Sequence, residues 1–159
     1  MKRLVTSRTA PNPGDWVEEI HKDRAAKEEK ARKEAHEARR QLEVFGSKAD
    51  DFWGQVTAEL TQVVDRYNRR ADDLRRVEID TVRAVGVPDM LFRVAWKQAR
   101  GAEVSLNKTA RTLRIMLRPD KASLEYSITA TAAGELRADG NTPADIARAA
   151  LEPFLRSIR

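Results

Sequence analysis

The side chains of this chain whose types could do chemistry are two histidines, His21 and His36, and two adjacent carboxylate pairs, Asp50/Asp51 and Asp72/Asp73. Histidine near carboxylates can hold a metal ion or move a proton, provided the groups converge on one point. His21 and His36 lie about four helical turns apart on one charged stretch, too far to share an ion within one chain. Adjacent acids on a helix point in different directions, so neither aspartate pair makes an acid/base couple. Asp50 and Asp51 suit the first turn of a helix, where negative charge meets the helix dipole. Asp72 and Asp73, set among Arg69, Arg70, Arg75 and Arg76, suit a salt-linked helix surface. The serines have no histidine near them in sequence, and the glycines stand singly, so neither a Ser/His/Asp set nor a phosphate-cradling loop is present. With no cysteine, thiolate metal sites, disulfides and thiol nucleophiles are excluded. No enzyme activity, cofactor or metal is expected.

The net charge of +5 invites a nucleic-acid reading. It is spread evenly, however: 12 Lys/Arg face 10 Asp/Glu in residues 1–50, 9 face 8 in 51–100, and 9 face 7 in 101–159. Phosphate binding needs local excess, so the composition argues against nucleic acid as partner. No apolar run is long enough to span a bilayer, so no membrane association is expected and the reading is a cytoplasmic protein.

Stepping along the chain, residues 1–14, with Pro11 and Pro13, are expected to form a flexible arm. Asp15 and Glu18 give a capping-box pattern that opens a helix running to Phe45. Its middle, Lys27 to Arg40, is charge, alanine and one histidine, with opposite signs three or four residues apart. Ala31, Ala35, Ala38, Leu42 and Phe45 form a thin seam. Gly46 and Ser47 read as the end of one helix and the cap of the next, which carries Trp53, Val56, Leu60, Val63 and Tyr67. A link that short implies an antiparallel helical hairpin over 15–75, with Leu42 near Val56, Ala38 near Leu60 and Ala35 near Val63.

Past Arg76 the apolar period falls to two, the mark of strands. Val77 to Val85 can be strand or helix. Met90 to Lys97, Val104 to Leu106, Leu113 to Arg118, Leu124 to Ala130 and Leu136 to Ala138 follow as strands. The 118–122 turn predicts Leu117 opposite Leu124, Ile115 opposite Tyr126 and Leu113 opposite Ile128. Thr142-Pro143-Ala144-Asp145 opens a final helix, which Pro153 is expected to kink or shorten. The fold class is α+β: an N-terminal antiparallel helical hairpin, then over 76–159 an antiparallel meander of five to six strands with a C-terminal helix packed on the sheet.

Three surfaces emerge. The first is an interface of Trp16, Val17, Ile20, Ala31, Ala35, Ala38, Leu42, Trp53, Val56, Leu60 and Val63. The alanine seam buries too little to hold a long helix by itself, so the leading function is a non-enzymatic protein-protein interaction or assembly module. It self-associates through the hairpin as a homo-oligomer, with a dimer favoured, or takes another protein partner near Trp16, Val17 and Ile20. The second is a pocket of Trp96, Tyr126 and Phe154 for a small apolar ligand. The third is a basic patch of Arg93, Lys97, Arg114 and Arg118 on the outer sheet face, open to weak anionic binding. It lacks the exposed aromatics that base stacking requires.

Overall fold

The computed structural model describes Asn12, residues 14–80 and residues 90–159. The expected arm, Asn12 and Gly14 aside, and the 81–85 end of the ambiguous segment lie outside the described residues. The elements are α1 (Asp15–Arg70), β1 (Glu78–Asp80), β2 (Met90–Trp96), β3 (Arg100–Asn107), β4 (Thr112–Arg118), β5 (Ser123–Ala130), β6 (Leu136–Ala138) and α2 (Pro143–Arg156). The six strands form an antiparallel meander in the order β1-β2-β3-β4-β5-β6, so the α+β class and the meander follow the sequence pattern. Two compact units divide at Arg40/Gln41.

Within Met1–Arg40, Gly14 rather than Asp15 caps the helix, its carbonyl accepting from Val17 and Glu18. Asp15 and Glu18 then sit in the first turn, where their charge favours the dipole. Ion pairs run along the surface: Lys33 to Glu29 at 3.7 Å, Lys30 to Glu34 at 3.9 Å, and Arg40 to Glu37 at 3.0 Å. Arg32 turns back to Glu29 at 3.6 Å instead of engaging Glu28.

Within Gln41–Arg159 the expected hairpin is replaced by one continuous helix. Neither Gly46 nor Ser47 interrupts α1, and the Ser47 hydroxyl donates to the Val44 carbonyl instead of capping a new helix. The pairings of Leu42 with Val56, Ala38 with Leu60 and Ala35 with Val63 therefore do not form, because all six share one helix. The physical reason is burial. Phe45, Ala49, Phe52, Val56, Leu60 and Val64 make one buried stripe that keeps its phase across Gly46. An interior glycine costs about 1 kcal/mol, less than the roughly 1.5–3 kcal/mol from burying one large apolar side chain.

That continuity makes a discriminating prediction. A Cβ built on Gly46 meets nothing within 4 Å. Gly46→Ala is therefore expected to raise unfolding stability by about 0.5–1 kcal/mol in a urea titration. A glycine in a left-handed cap would give a loss of similar size instead.

Side-chain amides fasten this part of α1 to strand backbone. The Gln41 amide donates to the Ala130 carbonyl at 3.0 Å and its oxygen accepts from the Ala130 N–H at 2.6 Å. Asn68 does the same with Val77, at 2.9 and 3.0 Å. Each amide behaves like one residue of a neighbouring strand and satisfies backbone groups at the end of β5 and just before β1.

The sheet buries one face. Phe92, Val94, Ala102, Val104, Leu106, Leu113, Ile115, Ile128, Ala130, Leu136 and Ala138 join the α1 stripe and Ile146, Ala147, Ala150, Leu151 and Phe154 of α2 in a single core. The β4/β5 register differs from expectation by two residues: Leu113 pairs with Tyr126, Ile115 with Leu124 and Met116 with Ser123. The Leu117 N–H donates to the Ala122 carbonyl, closing the turn early. A shift of two preserves which face each side chain occupies, so the apolar pattern cannot detect it. Leu124 now lies opposite buried Ile115, yet is itself exposed.

The start of α2 follows its sequence signature. Thr142 caps through a reciprocal box with Asp145, and Pro143 takes the first turn. Bonds from the Thr142 backbone and hydroxyl hold the Asp145 carboxyl below its usual value. Pro153 does not end the helix, which continues to Arg156, although it has no N–H to give the Ala149 carbonyl.

Candidate functional site

The eleven expected interface residues fall into two environments. Trp16, Val17 and Ile20 stand 58%, 38% and 42% exposed, and Ala31, Ala35, Ala38 and Leu42 are exposed as well. Val56 and Leu60 are sealed in the core, while Trp53 and Val63 pack half-buried against it. Val56 and Leu60 therefore offer no surface to another chain, and the exposed group offers the most. His21 and His36 are exposed, and among the described residues no group of three or more His, Asp or Glu could hold a metal ion.

The residues of the expected basic patch are brought together with acids. Cross-strand register places Arg93 between Asp80 and Glu103, and Arg114 opposite Glu125. Arg93 reaches Glu103 at 3.1 Å and Asp80 at 3.6 Å, Arg118 reaches Glu103 at 3.3 Å, and Arg114 reaches Glu125 at 3.0 Å. Lys97 leaves the ladder and lies 4.6 Å over the Trp96 ring. Three arginines and three acids therefore compensate across the outer face, leaving no local excess for phosphates.

The three pocket residues are not gathered round one space. β3 and β4 separate Trp96 on β2 from Tyr126 on β5, roughly 14 Å at ordinary strand spacing. Phe154 is buried, and the Trp96 indole donates to the Leu74 carbonyl at 2.9 Å.

Open grooves lie elsewhere, among them two large ones. One, of about 650 Å³, runs beside α1 and β6, lined by Lys48, Phe52, Gln55, Glu135, Arg137 and Pro143 among others. Its cations are engaged: Lys48 donates to the Gly134 carbonyl at 2.6 Å and Arg137 pairs with Glu135 at 2.7 Å. The second, of about 830 Å³, lies at the C-terminal end of α1. It is lined by Arg66, Tyr67, Arg69, Arg70, Ala71, Asp72 and Arg75. Sequence reading treats 69–76 as salt-linked, which holds for Asp72 with Arg75 (2.6 Å) and Asp73 with Arg76 (3.5 Å). Arg66, Arg69 and Arg70 make no ion pair or hydrogen bond among the described residues. The readable signal was the i, i+3, i+4 spacing of these three, which sets them on one side of the helix.

No protein-family model, curated protein or solved structure matches the chain.

Proposed function

We propose that this protein is a non-enzymatic assembly module in which residues 15–40 of α1 pair with a second copy of the same segment, antiparallel. One observation carries the reading: every residue from 14 to 39 is exposed, although this stretch is helical and carries Trp16, Val17 and Ile20. Over its roughly 40 Å the segment buries no apolar face, and its surface ion pairs add only about 0.2–0.5 kcal/mol each. Large aromatics and aliphatics contribute most of the energy of small interfaces, so the Trp16 end is the anchor.

Charge selects the partner and its direction. Residues 15–26 hold four acids and two bases, net −2, whereas residues 27–40 hold six bases and four acids, net +2. Antiparallel pairing of two copies sets each negative half against a positive one, while parallel pairing sets like against like. Val56 and Leu60, being core residues, take no part. The sheet ladder is charge-compensated and the three aromatic residues are not gathered, so neither the anionic-surface nor the apolar-ligand reading gains comparable support.

Sedimentation equilibrium tests the proposal. The unmutated chain is expected to run as a dimer and Trp16→Glu/Ile20→Glu as a monomer that still folds, because both side chains are exposed within one chain; it loses only the stabilisation that association adds. A monomeric unmutated chain at the highest workable concentration would overturn it.

A further inference from the structure

The groove at the C-terminal end of α1 is built for a ligand that the assembly surface does not explain. Arg66, Arg69 and Arg70 stand on one side of the helix, and Arg75 joins them from the turn beyond. Among the described residues of the lining Asp72 is the only acid, so four positive charges face one negative charge. Asp72 is committed to Arg75, accepting both its guanidinium at 2.6 Å and its backbone N–H at 3.1 Å. The other three guanidiniums are left without an intrachain partner among the described residues.

This arrangement has a cost. Like charges three and four residues apart destabilise a helix, by about as much as opposite charges stabilise it. The dipole at a helix C-terminus offsets part of that for Arg69 and Arg70 in the last turn, and less for Arg66 a turn earlier. A bound polyanion removes the repulsion. Guanidinium groups suit phosphate oxygens because their planar fork presents parallel N–H donors, and several adjacent forks suit several adjacent phosphates.

The site is also held in shape before any ligand arrives. Ala71 N–H donates to the Tyr67 carbonyl at 3.0 Å, and Asn68 clamps Val77 through two bonds. The Trp96 indole holds the Leu74 carbonyl. The segment from Ala71 to Val77 is therefore tied at both ends and in the middle, which lowers the ordering cost of binding. Tyr67, half-buried, adds an aromatic ring to the lining.

We infer that the groove lined by Arg66, Arg69, Arg70 and Arg75 binds a small phosphate-bearing polyanion, with two or more linked phosphates bridging the unpartnered guanidiniums. An inorganic polyphosphate and a nucleoside polyphosphate share this chemistry, and calorimetry on the full chain separates them. Sodium tripolyphosphate and ATP are titrated in parallel, with adenosine as the arm lacking phosphate. Both phosphates are expected to bind, with affinity falling as salt rises. Equal affinities assign the site to the phosphate chain alone, and tighter ATP binding adds the nucleoside stacked on Tyr67.

Arg66→Gln/Arg70→Gln is expected to weaken tripolyphosphate binding on the order of tenfold to a hundredfold, since each removes a charge-assisted contact. Both sites are exposed, and unchanged circular dichroism confirms the fold. Lys121→Gln/Arg159→Gln removes the same charge at other exposed positions and is expected to leave binding intact. Absence of tripolyphosphate and ATP binding at low salt overturns the inference. So does an equal loss in the two double variants, or retention confined to long polyanions such as heparin.

Discussion

Leu60→Ala is expected to lower the unfolding free energy by about 2–5 kcal/mol, read from urea titration. Leu42→Ala is expected to change it by no more than about 0.5 kcal/mol. The two leucines are of one type on one helix, and their sequence patterns look alike. Leu60 is 0% exposed and joins α1 to the sheet and α2 in the core, whereas Leu42 is 56% exposed. Truncating Leu60 removes the transfer free energy of its buried methyls and leaves a cavity that the sheet and helices close only in part. Truncating Leu42 exposes nothing new. Equal losses at both sites would show that Leu42 is covered, by a second copy or otherwise, and would move the association surface toward it.

Gly101→Ala carries the second large effect, about 1–3 kcal/mol of destabilisation. Gly101 lies in β3 opposite Ala95 of β2, and an ideal Cβ there falls 2.5 Å from the Val94 carbonyl oxygen. That oxygen belongs to a strand backbone, so relief requires β2 to shift, and Val94 beneath it is a core residue. A flexible side chain at the same distance would simply rotate away. Gly54 provides the contrast, since nothing lies within 4 Å of its Cβ and it sits inside a helix. A thermal midpoint for Gly101→Ala equal to that of the unmutated protein would show that β2 and β3 do not approach this closely.

Much of the fold was legible because alternation and capping are local. Phe92 and Val94, Leu113 and Ile115, and Ile128 and Ala130 each fall on the buried face, as period two requires. Thr142, Pro143 and Asp145 start α2 by bonds confined to one turn. The apolar spacing that α1 keeps was also present in the chain. Ala31, Ala35, Ala38, Leu42, Phe45, Ala49, Phe52 and Val56 step by fours and threes through Gly46 without losing phase. That spacing fits one helix or two, because Gly46 also suits a helix end; burial of the stripe decides for one.

The candidate surfaces were less legible, for physical reasons. Arg93, Arg114 and Arg118 looked like one basic face because acids on other strands are distant in sequence; pairing brings Asp80, Glu103 and Glu125 among them. Trp96, Tyr126 and Phe154 share a polarity pattern, but the meander sets two strands between the first two. Conversely, Arg66, Arg69 and Arg70 vanish in charge counts taken over fifty residues. Only a groove shows that three positive charges in one turn lack partners among the described residues.

The sequence by itself determined the strands from Met90 onward, which face of each is buried, and where α2 begins, since periodicity and capping act over a few residues; β1 it left open between strand and helix. It also determined that no ready-made catalytic motif is written in this chain. The tertiary structure alone decided three things: that the helix runs unbroken past Gly46, that β4 and β5 pair two residues out of the expected register, and which arginines are neutralised. Each turns on a sum of burial or charge over residues far apart in the chain, and local preferences of about 1 kcal/mol yield to such sums.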